Sequence, residues 1–213
     1  MIKLRFKYAK KGPCIWVSHL DILRLWQRTL QRVNADVAYS QGYNPHMQLT
    51  FALPIGVGVE SSCEMVDIEF NSVDDMLKLS SDIAKTLPKG IEIISVEQPI
   101  SKFPKFTKAR YHCLVKNQAA IGNKVCVSQL LKSLNTQELN VDKTTKKGTT
   151  TINVIPHLFE VIINDEGDNI SFNLVLSAGN EFNIKPELFL KSITNDEYFI
   201  PEIISIKRLE IIT

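Results

Sequence analysis

At 213 residues, with 44% apolar residues and a formal net charge of +2, the chain is long enough for one large globular core or two small ones. Its longest apolar run, residues 51–59, contains proline and glycine and falls far short of the roughly 20 residues a membrane helix needs. The N-terminus alternates charged and apolar side chains and does not read as a signal peptide, so the expected setting is cytoplasmic, with no membrane partner.

The elements follow in chain order. Residues 2–8 alternate strictly, with Leu4, Phe6 and Tyr8 on one face and Lys3, Arg5 and Lys7 on the other, the pattern of a half-buried strand. Gly12-Pro13 breaks it, and a helix is predicted over 19–33, followed by a loop rich in Gly, Asn and Pro. Strands are predicted over 49–53 and 64–70, a helix over 74–87 stopped by Pro88 and Gly90, and a strand over 91–96. This strand–helix–strand–strand–helix–strand order is that of a ferredoxin-like domain over 1–98. The fold leaves one sheet face uncovered by helices, and the Lys3/Arg5/Lys7 row is expected on it.

Residues 99–108, with two prolines and little periodicity apart from Ile100, are the best linker candidate. Beyond them a second, smaller α+β domain is expected over 109–213. Its predicted elements are a strand (110–116), a helix (127–134), a strand (138–142), a mobile basic loop (143–148), strands over 152–155, 158–163 and 170–176 with a turn at 165–168, a short helix to 193 and a strand over 203–212. A second ferredoxin-like copy fits this order, although no sequence repeat links the halves.

Charge alternates along the chain. Residues 1–50 hold 8 Lys/Arg against 2 Asp/Glu and residues 101–150 hold 10 against 2. Residues 51–100 hold 3 against 9, and residues 151–213 hold 4 against 10. Solvated faces account for such a pattern, and so does a basic surface in each half that meets an anion such as RNA. Cys14, Cys63, Cys113 and Cys126 lie far apart without C-x-x-C or C-x-x-H spacing. That argues against a structural zinc site or a local iron–sulfur cluster; no metal or cofactor is expected.

Polar chemistry concentrates between Trp16 and Glu60. Ser18-x-x-Asp21 before an apolar helical pattern fits a capping box. Ile22, Leu23, Trp26, Leu30 and Val33 form the buried stripe. Arg24, Arg28 and Arg32 recur every four residues and share one face, where like charges repel by a few tenths of a kcal/mol per pair. They are either a solvated face or a ridge that tracks phosphates. His19 falls in the first helical turn, where the helix dipole favours the neutral imidazole that serves as base or ligand. In the loop 39–46, Gly42 permits a sharp turn and Pro45 holds Asn44 out of helical conformation. Ser40, Gln41, Asn44 and His46 supply donors and acceptors there, with Tyr39 and Tyr43 as stacking surfaces. His19 and His46 are the catalytic candidates, and a metal site of His19, Asp21 and His46 is a weaker idea. Binding candidates are Lys3, Arg5, Lys7, Arg24, Arg28, Arg32, Tyr39, Ser40, Gln41, Gly42, Tyr43, Asn44 and His46.

Ser18-His-Leu-Asp21, Tyr39-Ser-Gln-Gly-Tyr-Asn-Pro-His46 and Phe51-Ala-Leu-Pro-Ile-Gly-Val-Gly-Val-Glu-Ser61 together resemble the signature of the radical SAM-linked family, a bacterial domain of unknown function. Ile184-Lys185-Pro186 extends the likeness weakly into the second half. Where the family pattern continues His-Pro-Lys, this chain has His46-Met47-Gln48, one basic group fewer. Family members are fused behind a radical SAM enzyme or encoded beside one. This chain has no C-x-x-x-C-x-x-C motif for the cluster, so the resemblance implies a stand-alone partner of such an enzyme. The expected function is a non-catalytic accessory protein that binds RNA or presents a substrate. The alternative is a metal-independent RNA-processing enzyme, since tandem ferredoxin-like units with a histidine near the first helix resemble the CRISPR RNA-processing nucleases in outline.

Overall fold

The computed structural model describes residues 1–145, 148–179 and 181–213. The chain divides into two compact units, Met1–Pro104 and Lys105–Thr213, so the second is not the smaller one expected: a hairpin inserted in it makes it slightly the longer. Both are α+β.

In the first unit β1 (Ile2–Lys10), α1 (His19–Arg32), β2 (Leu49–Phe51), β3 (Glu60–Phe70), α2 (Met76–Thr86) and β4 (Ile91–Glu97) follow one another. β1 pairs antiparallel with β3 and with β4, and β2 pairs antiparallel with β3. The strand order β4-β1-β3-β2 is the ferredoxin-like one. Register follows from burial: Leu4, Phe6 and Tyr8 on β1 and Val66, Ile68 and Phe70 on β3 share one core with Ile22, Trp26 and Leu30 of α1 and Ile83 of α2. A one-residue slip would turn either strand's apolar set to solvent. Trp26 is fully buried between Phe6 and Tyr8, with ring centroids 5.6 and 5.4 Å away.

The opposite parity of β1 faces away from the helices, as the alternation predicts, but two of its three charges are matched. Lys3 lies 3.1 Å from Glu69, and Arg5 makes a two-pronged bond to Asp67 at 2.7 and 2.9 Å. Arg5 also stacks 4.0 Å over Phe103 and donates to the Ser101 carbonyl, so the 101–103 segment lies against this face. Lys7 is exposed.

The second unit contains β5 (Lys108–Asn117), α3 (Asn123–Ser133), β6 (Asn140–Thr145), β7 (Gly148–Asn153), β8 (Leu158–Glu166), β9 (Asn169–Ser177), α4 (Pro186–Ser192) and β10 (Pro201–Ile212). β5 pairs antiparallel with β9 and β10, and β8 with β9. The order β10-β5-β9-β8 repeats that of the first unit, with the β6–β7 hairpin inserted between the first helix and the second strand. Phe172 on β9, Phe189 on α4 and Phe199 anchor its core.

The expected mobile loop over 143–148 is corrected at its two ends: Lys143–Thr145 close β6 and Gly148 opens β7, where the β-branched threonines at 144 and 149–151 favour extended backbone; Lys146 and Lys147 lie outside the described residues. Among the described residues no helix is long and apolar enough to cross a membrane. All four cysteines are buried free thiols, and burial pushes Cys113 up to about 12 and Cys126 to about 11, which leaves both without a reactive thiolate.

Candidate nucleic-acid interface

α1 begins as its sequence requires. The Asp21 N–H donates to Ser18 Oγ at 3.3 Å, and the Ser18 hydroxyl donates to Asp21 Oδ2 at 2.7 Å. Asp21 also receives Arg24 Nη1 at 3.0 Å, and these bonds hold its carboxyl below the usual carboxylate range. The helix ends in a Schellman arrangement: Asn34 adopts a left-handed φ of 51° and the Ala35 N–H donates to the Leu30 carbonyl at 3.0 Å. That reversal sends the chain back along the end of β3, where Val37 bridges Phe70 and the Ala38 N–H donates to the Glu69 carbonyl at 2.8 Å.

From this anchor the chain makes a closed excursion. Tyr39 bridges Met47, the Ser40 N–H donates to the His46 carbonyl at 2.9 Å, and the Gln48 amide donates to the Tyr39 carbonyl at 3.2 Å. Ser40 Oγ accepts from the His46 N–H at 3.1 Å and lies 2.8 Å from His46 Nδ1. Ser40 thus orients His46 and staples the loop. Gly42 turns the tip at φ 126°, and Gln41, Tyr43 and Asn44 stand out with Tyr43 fully exposed.

The loop wall and the outer face of α1 enclose an open cleft of about 320 Å³, lined by Arg24, Gln27, Arg28, Gln31, Tyr39 and His46 among others. A second cleft of about 540 Å³ lies on the other side of the arginines, between α1 and the end of α2, with Asp21, Arg24, Arg28, Arg32 and Thr86 in its walls. Arg24 and Arg28 therefore form a ridge between two grooves. Arg24 is paired with Asp21, whose charge Arg28 also feels at longer range, whereas Arg28 and Arg32 have no carboxylate within 4 Å among the described residues.

The structure thus brings Arg24, Arg28, Tyr39 and His46 together and adds Arg32 on the far side. It leaves Gln41, Tyr43 and Asn44 at the loop tip, and Lys3, Arg5 and Lys7 on the sheet. His19 does not join this group. It sits nine residues before Arg28, about half a turn out of phase on the helix, with its ring edge-on to Phe51 at 5.0 Å. His19, Asp21 and His46 do not assemble: among the described residues no three His, Cys, Asp or Glu groups could hold a metal together.

Two groups escape a reading by motif. Gln27 and Gln31 complete the cleft because they flank the arginine stripe on the loop side. Lys10 and Glu64 are buried close enough to His19 to act on its charge. Burial lowers the His19 pKa and Lys10 lowers it further, while Glu64 opposes both. Parity carried the signal for Glu64, which continues the Val66/Ile68/Phe70 series, whereas a bulge between Tyr8 and Lys10 interrupts the alternation of β1 before Lys10.

A family model described as "Uncharacterized protein conserved in bacteria (DUF2344)" matches residues 3–186. The chain belongs to this family. The DUF2344 match spans both units, including the capped helix, the 39–46 loop and the opening of α4. No curated protein matches the chain. Among solved structures, a chain of the crystal structure of a Cbf5-Nop10-Gar1 complex is similar over 99% of this chain and 49% of its own, with a TM-score of 0.54 at 10% identity. This DUF2344 chain spans about half the length of that one, and at such identity the likeness shows the α+β fold alone. A structure of an unknown protein from Galdieria sulphuraria aligns over 90% of this chain and 87% of its own at 13% identity, with a TM-score of 0.30, too low to carry an argument.

Proposed function

We propose that this protein is a non-catalytic binding partner that holds single-stranded RNA for a radical SAM enzyme, acting in the cytoplasm. The RNA part rests on one observation: Arg28 and Arg32 stand with no carboxylate within 4 Å among the described residues, on a ridge whose flanking cleft is walled by Tyr39 and His46. Arginines not locked in an ion pair suit phosphate oxygens, and an adjoining aromatic ring offers a base a stacking face. A duplex fits less well than a single strand, because the cleft holds only about 320 Å³ and its wall is a nine-residue loop closed on itself. The radical SAM part rests on the signature residues of 18–61.

The test is anisotropy of a labelled single-stranded RNA of about 12 nucleotides over a salt series. Binding should weaken as salt rises, and Arg28→Gln/Arg32→Gln should reduce the slope of log K against log salt by about 1.4. Salt-independent binding, or an unchanged slope in the variant, would defeat the RNA reading. Purification from the source bacterium should recover a radical SAM enzyme with the chain; recovery of none defeats the partner reading.

A second reading, an RNA-processing enzyme without a metal, is favoured by His19, held toward its neutral form beside Lys10 and Glu64. His19→Ala separates the two. Lost RNA turnover with retained binding supports the enzyme, and unchanged RNA with retained binding supports the module.

A further inference from the structure

The second unit has a basic cleft of its own. Lys143 reaches it from β6, Lys185 from the residue before α4 and Lys191 from the last turn of that helix; with Thr144 and Asn183 they line a cleft of about 340 Å³. Glu187 is the acidic residue in its wall. None of the three ammonium groups has a carboxylate within 4 Å among the described residues. Three like charges drawn from two separate segments into one cleft, against the single Glu187, are unfavourable unless an anion offsets them.

One of the three is held in place. Lys143 Nζ donates to the Asn183 carbonyl at 3.2 Å and stands 5.6 Å from the centre of the Phe182 ring. Phe182 stacks on His157 at 3.6 Å, and His157 Nδ1 lies 3.1 Å from Ser177 Oγ. The hairpin is thereby tied to the segment that leads into α4. An ammonium has three N–H donors, so Lys143 keeps two for a ligand. Lys185 and Lys191 make no side-chain hydrogen bond among the described residues and keep all of theirs.

We infer that this cleft is a phosphate-binding site, for a phosphate ester carried by a free nucleotide or by the backbone of an RNA strand. Lysines bind phosphate as compact point charges, and a multiply charged tetrahedral group offers oxygens to several ammonium groups at once. The volume is at the small end of ligand sites, adequate for one nucleotide and too small for a duplex. The inference is independent of the arginine ridge in the first unit.

The experiment is a series of ¹H–¹⁵N correlation spectra of the full chain titrated with sodium pyrophosphate, with a nucleoside monophosphate and with a single-stranded RNA. Saturable shifts in the amides of 143–144 and 183–191 are expected with pyrophosphate. Lys185→Gln/Lys191→Gln should weaken that binding at least about ten-fold, while Lys191→Arg and Arg28→Gln/Arg32→Gln retain it. Saturation by the mononucleotide assigns the site to free nucleotides; saturation by RNA but not by the mononucleotide assigns it to strand phosphates. Absence of saturable shifts with all three, or equal affinity in a double-lysine variant whose spectrum remains dispersed, overturns the site.

Discussion

The two units share a strand order, β4-β1-β3-β2 in one and β10-β5-β9-β8 in the other, yet they place their basic groups differently. In the first, arginines ride on the first helix and face a closed loop. In the second, lysines gather from a hairpin and the second helix. Both elaborations use the connection from first helix to second strand, residues 33–48 in one unit and 134–157 in the other. That connection is free to vary because the sheet register depends on burial along the strands, and the connection only has to return the chain to the second strand.

The sharpest test of this separation between scaffold and decoration is a cavity. Trp26→Ala removes a fully buried ring packed on Phe6 and Tyr8 and should cost about 3–5 kcal/mol. Native-state hydrogen exchange should show protection falling in β1, β3 and β4. The matching change in the second unit, Phe172→Ala, should cost a similar amount and expose β5, β8 and β9. If either variant leaves the protection of its own strands unchanged, the two-core description fails.

The helix starts differ in a way that gives a smaller effect. α1 has a side-chain cap in Ser18, whereas α3 begins at Gly122 with none. Ser18→Ala should therefore cost about 1 kcal/mol. Gly122→Ala should cost less than about 1 kcal/mol, since no capping side chain is lost there and Gly122 is not in a left-handed conformation. Urea midpoints of the two variants decide this; an equal loss in both would mean that Ser18 contributes nothing beyond backbone geometry.

This contrast also marks what local sequence can carry. Ser18, Asp21 and the Ile22/Trp26/Leu30 spacing declare α1 within fifteen residues, and the alternation of 2–8 declares β1. Pairing across long separations is not declared locally. Nothing near Arg5 indicates that Asp67, 62 residues on, will meet it with two hydrogen bonds, so a row that reads as free cations is largely matched. The 39–46 loop was legible as polar, but its closure depends on Asn34 entering the left-handed region and on bridges to the end of β3. Glu64 carried its burial in strand parity, which charge alone conceals, whereas the bulge before Lys10 is not marked in the sequence. The lysine cleft was least legible, since Lys143 meets Lys185 and Lys191 only through the fold.

The finest distinction between the units is in two histidines. His19 sits edge-on to Phe51 at 5.0 Å and His157 stacks on Phe182 at 3.6 Å. Burial lowers both pKa values first; Lys10 lowers His19 further against the opposing Glu64, and Lys143 lowers His157 further. With folded values below the unfolded value of about 6.5, the unfolded chain binds more protons in between. Each histidine's contribution to stability is therefore fully present above about 6.5 and is lost as pH falls through its folded value. The ring Cε1–H resonances of both should titrate below about 6.5, and a midpoint at or above that value for either removes its burial argument. Phosphate then separates the pair. An anion held beside Lys143 offsets one of the two causes that depress His157 and neither of those acting on His19. Saturating pyrophosphate should raise the His157 midpoint and leave that of His19 in place, whereas equal movement of both would trace the effect to ionic strength and not to a site.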